Sequence, residues 1–464
     1  MIRHSPVLIA LWLLSACSLA PDYRPPELAT PAAYKEVTPW QAAQPADALV
    51  RGPWWECFGD ATLNGLETQI ESGNPDLAAA AARYREAQAV AAQAAAGLAP
   101  QAVLAGDLSA NRQSKERPLR GATQPNNYGA NEVGAAAGYE FDFWGRIANQ
   151  AVAGAATAEA RAADLATMRL SLQAALADQY FTLRGLDRQA ALLDDSATAY
   201  QKALDLTEML FKGRIAPGID VSRARTQLES VHAQRADIAL RRAAAEHAVA
   251  VLVGKPASDF SLPVQRSAFA LPAIPAGIPS ALLQRRPDIA AAERRVAAAN
   301  QLVGAAKAAF YPSLSLGLLG GFDSTRLSLL SLPDAIWSIG PGISLPLLDG
   351  GRLDAEEAAS YARLNEAGAN YRSVVLNAFR EVEDNAARLH WLEQEGASLD
   401  QAADAARQTL DAATALYRQG IASYLEVVTA QQARLQSEQA QLDVQTRRLL
   451  ADVGLIRALG GGWS

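Results

Sequence analysis

At 464 residues the chain is long enough for one large or two to three ordinary domains, and its 50% hydrophobic content supports a real core. Its 42 Lys and Arg are outnumbered by 49 Asp and Glu, a net charge of -7, so nothing favours a nucleic acid or another polyanion as a partner.

The first residues read as an address. Arg3 and His4 precede an apolar run from Val7 to Leu14, and LLSAC follows, the n-region, h-region and cleavage site of a signal peptide over residues 1–16. Leu14-Ser15-Ala16-Cys17 resembles the bacterial lipobox, in which the chain is cut before the cysteine and that cysteine takes a diacylglyceryl thioether and an N-acyl group. Cys17 is the expected lipid attachment, and its three acyl chains would anchor far more firmly than a single chain, which binds only marginally. The bland alternative is an ordinary signal peptide with a chance cysteine. Ser18, where an Asp is associated with inner-membrane retention, points to the outer membrane. Only Cys17 and Cys57 exist, so lipidation of the first leaves the second without an intramolecular partner. The aromatic setting WWECF predicts that Cys57 is a small buried residue. Residues 17–62 are expected to be a lipidated, extended segment.

The remainder is a duplication. Pro75-Asp76 followed by AAAAARYREAQ recurs as Pro287-Asp288 followed by AAAERRVAAAN, at a spacing of 212 residues. Trp144-Gly145-Arg146 recurs as Gly350-Gly351-Arg352, and LFKGRIAPGIDV from Leu210 recurs as LYRQGIASYLEV from Leu416, both at a spacing of 206. The first copy therefore has the longer loop between Pro100 and Trp144. The copies are expected over residues 63–255 and 281–464, joined by a linker over 256–280 in which Pro256, Pro263, Pro272, Pro275 and Pro279 oppose helix.

Each copy begins with a short Ala-rich helix and passes into alternating sequence. Near 101–143, Ala102, Leu104, Gly106 and Leu108 alternate with Val103, Ala105, Asp107 and Ser109, and the return strand sets Val133, Ala135, Ala137, Tyr139, Phe141 and Phe143 against Glu132, Gly134, Glu140 and Asp142. Near 313–347, Leu314, Leu316 and Leu318 alternate with Ser313, Ser315 and Gly317, and Trp337, Ile339, Pro341, Ile343, Leu345 and Leu347 form the returning strand. One apolar face opposite a small or acidic one suits a transmembrane β-barrel, and it suits equally a soluble sheet packed on helices. Four strands cannot close a barrel, so the membrane reading requires other subunits. From Arg146 and again from Gly350 the sequence is proline-free and rich in Ala, Leu, Gln, Glu and Arg, which predicts helices of about 100 Å at 1.5 Å per residue. They turn back at Gly213 to Gly218 and Gln419 to Ser423.

LLQRRPDIAAAERRVAAANQLVGAAKAAFYPSLSLGLLGGF, from Leu282, resembles the signature segment of the outer membrane factor family of bacterial efflux systems, the TolC-like proteins, and especially the lipoprotein branch of NodT and OprM type. CSLAPDYRPP, WWECFGDATLNGLETQIESGNPDL, YRQGIASYLEVVTAQQ and RALGGGW are similar to the same branch, so the resemblance covers essentially the whole mature chain. It implies an α+β fold in which a homotrimer builds a membrane β-barrel, four strands per subunit, continued by a long periplasmic α-helical barrel. It also implies a passive outer membrane duct docked onto a periplasmic adaptor protein and an inner-membrane efflux pump, with no cofactor beyond the lipid on Cys17.

The residues agree with a protein that performs no chemistry. His232, His247 and His390 are far apart in helical runs, and neither a phosphate loop nor a nucleophile elbow is present. The rival reading is a periplasmic adaptor lipoprotein, which would carry one helical hairpin between β-rich halves. Asp107, Glu132, Glu140 and Asp142 are the candidates for a mildly cation-favouring lumen. The resemblance places the periplasmic gate at Arg418 to Tyr424 and the helix start beyond it. Relatives read closer to YLTLLDAQRSL there and use its Asp and Arg in a polar constriction, whereas YLEVVTAQQARL puts Thr429 and Gln432 at those places. Closure is expected to rest on neutral hydrogen bonds from Thr429 and Gln432, helped by Tyr424, with carboxylates at Asp220 or Glu426 as the alternative.

Overall fold

The computed structural model describes residues 18–24, 52–119, 121–267, 286–325 and 331–461. The signal peptide, Cys17 and the later part of the proline-rich linker lie outside the described residues. Two compact units are resolved. The first holds residues 83–162 and 291–372 with the amino-terminal segment, and the second holds 28–82, 163–290 and 373–464.

The repeat is visible as equal element lengths. After α1 (Ala61–Gly73), helices α2 (Pro75–Ala96) and α5 (Pro287–Ala308) each have 22 residues. Strands β1 (Gln101–Arg112) and β3 (Ser313–Ser324) each have 12. Helices α3 (Arg146–Lys212) and α6 (Arg352–Arg418) each have 67, and α4 (Gly218–Leu252) and α7 (Tyr424–Ala458) each have 35. The return strands β2 (Asn127–Phe141) and β4 (Ala335–Ser344) differ, with 15 and 10 residues. The α1 helix starts two residues ahead of the repeat boundary expected at residue 63, because Asp60 caps it by accepting from the amides of Thr62 and Leu63 at 2.8 and 3.2 Å.

The first unit carries one antiparallel sheet in the order β1-β2-β3-β4. Its strands stop short of the expected hairpin ends. Phe143 lies in the turn beyond β2, and β4 ends at Ser344, ahead of Pro346, which has no amide to donate to a ladder. Pro341 stands within β4, an outer strand of this sheet.

In the second unit, Trp54, Phe58, Leu63 and Ile70 from the amino-terminal elements pack with Leu176, Tyr180 and Phe181 of α3, Val249 of α4 and Leu449 and Ile456 of α7. The same clasp closes each repeat on itself. Asn74, just before α2, donates to the Leu252 carbonyl at the end of α4 over 2.8 Å, and Arg286, just before α5, donates to the Ala458 carbonyl at the end of α7 over 3.0 Å. These carbonyls are two of the orphan acceptors of a helix end. Arg286 is also paired with Asp288 at 2.6 Å and with Glu381 at 2.7 Å. The first part of the linker is fastened in a similar way, since Arg184 donates to the Pro263 carbonyl at 2.8 Å and Arg242 to that of Leu262 at 2.7 Å. Arg242 is in turn paired with the buried Asp187 at 2.7 Å.

One expectation is overturned here. Cys57 is exposed rather than buried. It lies on a short 3-10 turn, Trp54–Phe58, whose buried positions are taken by Trp54 and Phe58. Partial desolvation and the nearby Asp452 carboxylate push its thiol up to about 11, so almost none of it is thiolate at neutral pH.

Candidate functional site

The sheet sorts its side chains cleanly, because directly opposed residues of an antiparallel ladder share a face. Leu104 opposes Ala135, which opposes Gly320, which opposes Trp337. Ala102, Ala137, Leu318 and Ile339 form the next row, and Tyr139, Leu316 and Pro341 the one after. In these rows one face is apolar across all four strands, and it turns polar toward the far end, where Arg112, Asn127, Asn131 and Ser324 lie on it. It is also bare: Leu104, Leu108, Leu318, Trp337, Ile339 and Ile343 are all exposed, up to 77% for Leu104. A continuous exposed apolar surface of this kind belongs against lipid or another protein. The two outer strands each have one ladder partner, so the sheet presents two open edges.

The opposite face carries the charge. Asp107 opposes Glu132, as the alternation predicts, and Glu132 in turn opposes Asp323. Asp323 was not anticipated. Its signal was the one-residue offset from Phe322, which continues the apolar register. Glu140 lies on the same face near the end of β2 and is bound through both oxygens to Arg146 at 2.8 Å. Asp142 falls past the end of the strand, where it accepts from the Ala148 amide at 2.6 Å and caps α3. A cavity of about 950 Å³ lies in the second unit among α3, α6 and α7, lined by Asp178, Arg388, Trp391, Arg447 and Arg457 among others. Burial lifts the Asp178 carboxyl to about 6.

Aromatic side chains gather where the strands give way to helices. Tyr139, Phe141 and Phe143 follow one another at centroid distances of 5.0 and 6.0 Å, and Trp144 stacks on Tyr311 at 4.6 Å while its ring N–H donates to the Pro312 carbonyl. Such a girdle marks the headgroup level of a membrane strand.

The helix turns hold the residues assigned to the gate. Arg418 ends α6 and is exposed. Tyr424 opens α7 and is buried, with its ring 5.3 Å from Tyr417 and its hydroxyl pushed up to about 12, chiefly by burial. Asp220, in the first turn of α4, is buried beside Arg223 at 3.3 Å. Glu426 is exposed and receives the Ser423 hydroxyl at 3.5 Å. Thr429 is exposed and donates to the Leu425 carbonyl of its own helix at 2.9 Å. Gln432 reaches across to Gln227 of α4 at 2.9 Å, and one heptad on, Gln439 pairs with Gln234 at the same distance. His232, His247 and His390 lie on helices: His232 approaches Glu229 at 3.4 Å and His390 approaches Gln394 at 3.1 Å.

The description of the outer membrane efflux protein family matches residues 66–255 and 278–461. The pyoverdine export outer membrane protein OpmQ of Pseudomonas putida is 31% identical over 473 aligned positions, covering 99% of this chain and 98% of that protein. The cation efflux system protein CusC of Escherichia coli is 30% identical over 470 positions, 99% and 98% of the two chains. The solved structure of the outer-membrane channel OprN matches with a TM-score of 0.85 at 32% identity, over 96% of this chain and 100% of that one. These are channels rather than adaptors, and the strand-hairpin-plus-helix unit occurs twice here, which sets the adaptor reading aside. With a bare apolar sheet face, an aromatic girdle and end-to-end similarity to such channels, the chain belongs to the outer membrane efflux protein family and is an outer membrane channel subunit of an efflux system.

Proposed function

We propose that three copies join their sheets edge to edge, β1 of one copy against β4 of the next, into a closed twelve-stranded barrel whose apolar face meets lipid. The observation that carries this is the exposed apolar band running across one face of all four strands, with two unpaired edges, an arrangement that only closure or coverage makes stable in a membrane. Asp107, Glu132, Asp323 and Glu140 then line the lumen. The chain is a passive duct without enzymatic activity or cofactor, and the pump it serves selects the cargo.

The mature chain starts at Cys17, acylated on its sulfur and amino group, and the two repeats over 63–255 and 281–464 are joined by the linker over 256–280. The helix turns are the surface offered to a periplasmic adaptor. Met209, Phe211, Ile215 and Ile219 at one turn, and Leu416, Ile421 and Leu425 at the other, are exposed apolar side chains beside the polar gate residues. At rest the periplasmic end is held by the neutral hydrogen bond of Gln432 to Gln227, with Tyr424 packed behind it, whereas the Thr429 hydroxyl, expected to share this role, bonds the Leu425 carbonyl of its own helix.

Single cysteines placed along β1 and β4 test the assembly. Cross-links between different chains, in heat-modifiable trimers recovered from the outer membrane, are expected. Chains that stay monomeric in that membrane, or that cross-link elsewhere than at these edges, would refute the shared barrel.

A further inference from the structure

The cavity of about 950 Å³ among α3, α6 and α7 lies wholly within the second unit and has the volume of a small-molecule site. Its rim is cationic. Arg388 of α6 and Arg457 of α7 are exposed, and neither has an ion-pair partner among the described residues; Arg388 makes only a 3.4 Å bond to Asn385 Oδ1 of its own helix. Other charges of the lining are already matched, since Arg447 binds Glu395 at 2.6 Å and Asp384 binds Arg380 at 2.9 Å. Trp391, on the same helix as Arg388, is 60% exposed and offers a flat apolar face. The floor is an acceptor. Asp178 Oδ1 is enclosed and meets no donor among the described residues, a state that buried polar atoms ordinarily avoid.

The recess opens away from the amino-terminal elements. At about 3.6 residues per turn, Asp178 falls on the far side of α3 from Leu176 and Tyr180, and Arg447 and Gly454 fall on the far side of α7 from Leu449 and Ile456. Leu176, Tyr180, Leu449 and Ile456 are the side chains that pack with Trp54, Leu63 and Ile70. One side of this helix layer is therefore covered, and the recess is cut into the other.

We infer that the recess is a subsite for a flat organic anion with a hydrogen-bond donor at its opposite end: Arg388 and Arg457 hold the anionic group, Trp391 stacks on the body, and Asp178 accepts from the donor. Guanidinium groups suit a carboxylate or sulfonate by charge and by geometry, and an enclosed carboxylate rewards a hydroxyl or amine that reaches it. The inference rests on the duct reading, in which the uncovered side of these helices faces the lumen. The duct then has a chemical preference of its own, for such anions over neutral molecules, added to whatever the pump selects.

The probe is 6-hydroxy-2-naphthoate, a flat anion whose hydroxyl and carboxylate stand at opposite ends, and its fluorescence anisotropy is read against purified full-length protein in detergent. Saturable binding of one probe per chain is expected. Arg388→Gln and Arg457→Gln, which break no ion pair, should each weaken it roughly fivefold or more, and Trp391→Ala should do the same. 2-Naphthoate, which lacks the hydroxyl, should bind roughly fivefold more weakly than the probe to the wild type, whereas Asp178→Ala should hold the two alike. Binding that does not saturate, or that both arginine variants leave unchanged, would overturn the subsite. A hydroxyl preference that survives Asp178→Ala would overturn the role of Asp178 and leave its oxygen to water. Conductance in a planar bilayer separates the subsite from the duct reading: saturating probe should lower the current through the wild type and leave that through Arg388→Gln unchanged. Protein that binds the probe but forms no pore would refute the duct and leave the subsite standing, and a pore indifferent to bound probe would remove the subsite from the lumen.

Discussion

Glu67 is the residue whose chemistry departs most from its neighbours. It shares a face of α1 with Leu63 and Ile70, is fully enclosed, and neither carboxyl oxygen finds a partner among the described residues. Burial lifts its pKa to about 9. The unfolded chain releases this proton near pH 4.3 and the folded chain keeps it, so between about pH 4.3 and 9 the folded state binds more protons and stability falls as pH rises, by up to about 1.4 kcal/mol per unit. Glu67→Gln keeps the volume and removes the titration. Thermal unfolding should show little difference between the two proteins near pH 4.5 and a growing advantage for the glutamine variant toward pH 8.5. Asp178 and Asp452, lifted by burial to about 6 and 7, contribute their slope to both, so the difference isolates Glu67. Parallel pH curves would refute it. A second residue is constrained by space and backbone together. Gly254 has φ +73° and a Cβ there would stand 1.9 Å from the Gly73 carbonyl oxygen. Gly254→Ala should cost more than about 2 kcal/mol in urea unfolding, and a loss under about 0.5 kcal/mol would mean that the ends of α1 and α4 can part. Neither residue was legible beforehand, since a lone Glu or Gly in a sequence says nothing about what encloses it.

At the scale of elements, much could be read. The alternation of Leu314, Leu316 and Leu318 with Ser313, Ser315 and Gly317 gave the faces of β3, because a strand has a fixed two-residue period and the ladder to β2 keeps it. The long helices followed from the absence of proline, and their ends from the glycine-containing turns. Pairwise contacts were hidden. Nothing in the local sequence distinguishes Arg286 as a clasp on Ala458, or Gln432 as a partner of Gln227, since those contacts span 172 and 205 residues. Cys57 misled because an aromatic setting fixes which residues are near, not which way a short turn points. The face assignment is testable by charge. Arg at Leu318 or Ile339, on the apolar face and set away from the girdle, should cost on the order of 2 to 4 kcal/mol per subunit, whereas Arg at Ser315 faces the lumen and should assemble normally. Yields of heat-modifiable trimer provide the measurement, and equal yields for all three variants would mean that the apolar face does not meet lipid.

For the whole molecule the question is what keeps a wide duct shut. Here α4 and α7, equivalent helices of the two repeats, are bridged by Gln432 to Gln227 and Gln439 to Gln234, both at 2.9 Å. The Thr429 hydroxyl is spent on its own helix, so within the proposed neutral latch the weight falls on Gln432. Each such bond contributes about 0.5 to 1.5 kcal/mol, and three copies act together in a trimer. If opening draws α7 away from α4, removing either partner of one bridge should favour the open state, and removing both should add little more, because the bond is already lost. Amides do not titrate between pH 7 and 4.5, so wild-type conductance in a planar bilayer should stay low and nearly flat over that range. Gln432→Ala and Gln227→Ala should each raise conductance, the double variant should match the larger of the two, and Thr429→Ala should change it little. The competing carboxylates are well placed to reveal themselves, with Asp220 buried against Arg223 and Glu426 exposed in the first turn of α7. A steep opening on acidification, abolished by Asp220→Asn or Glu426→Gln, would move the latch from the glutamine bridges to those charges.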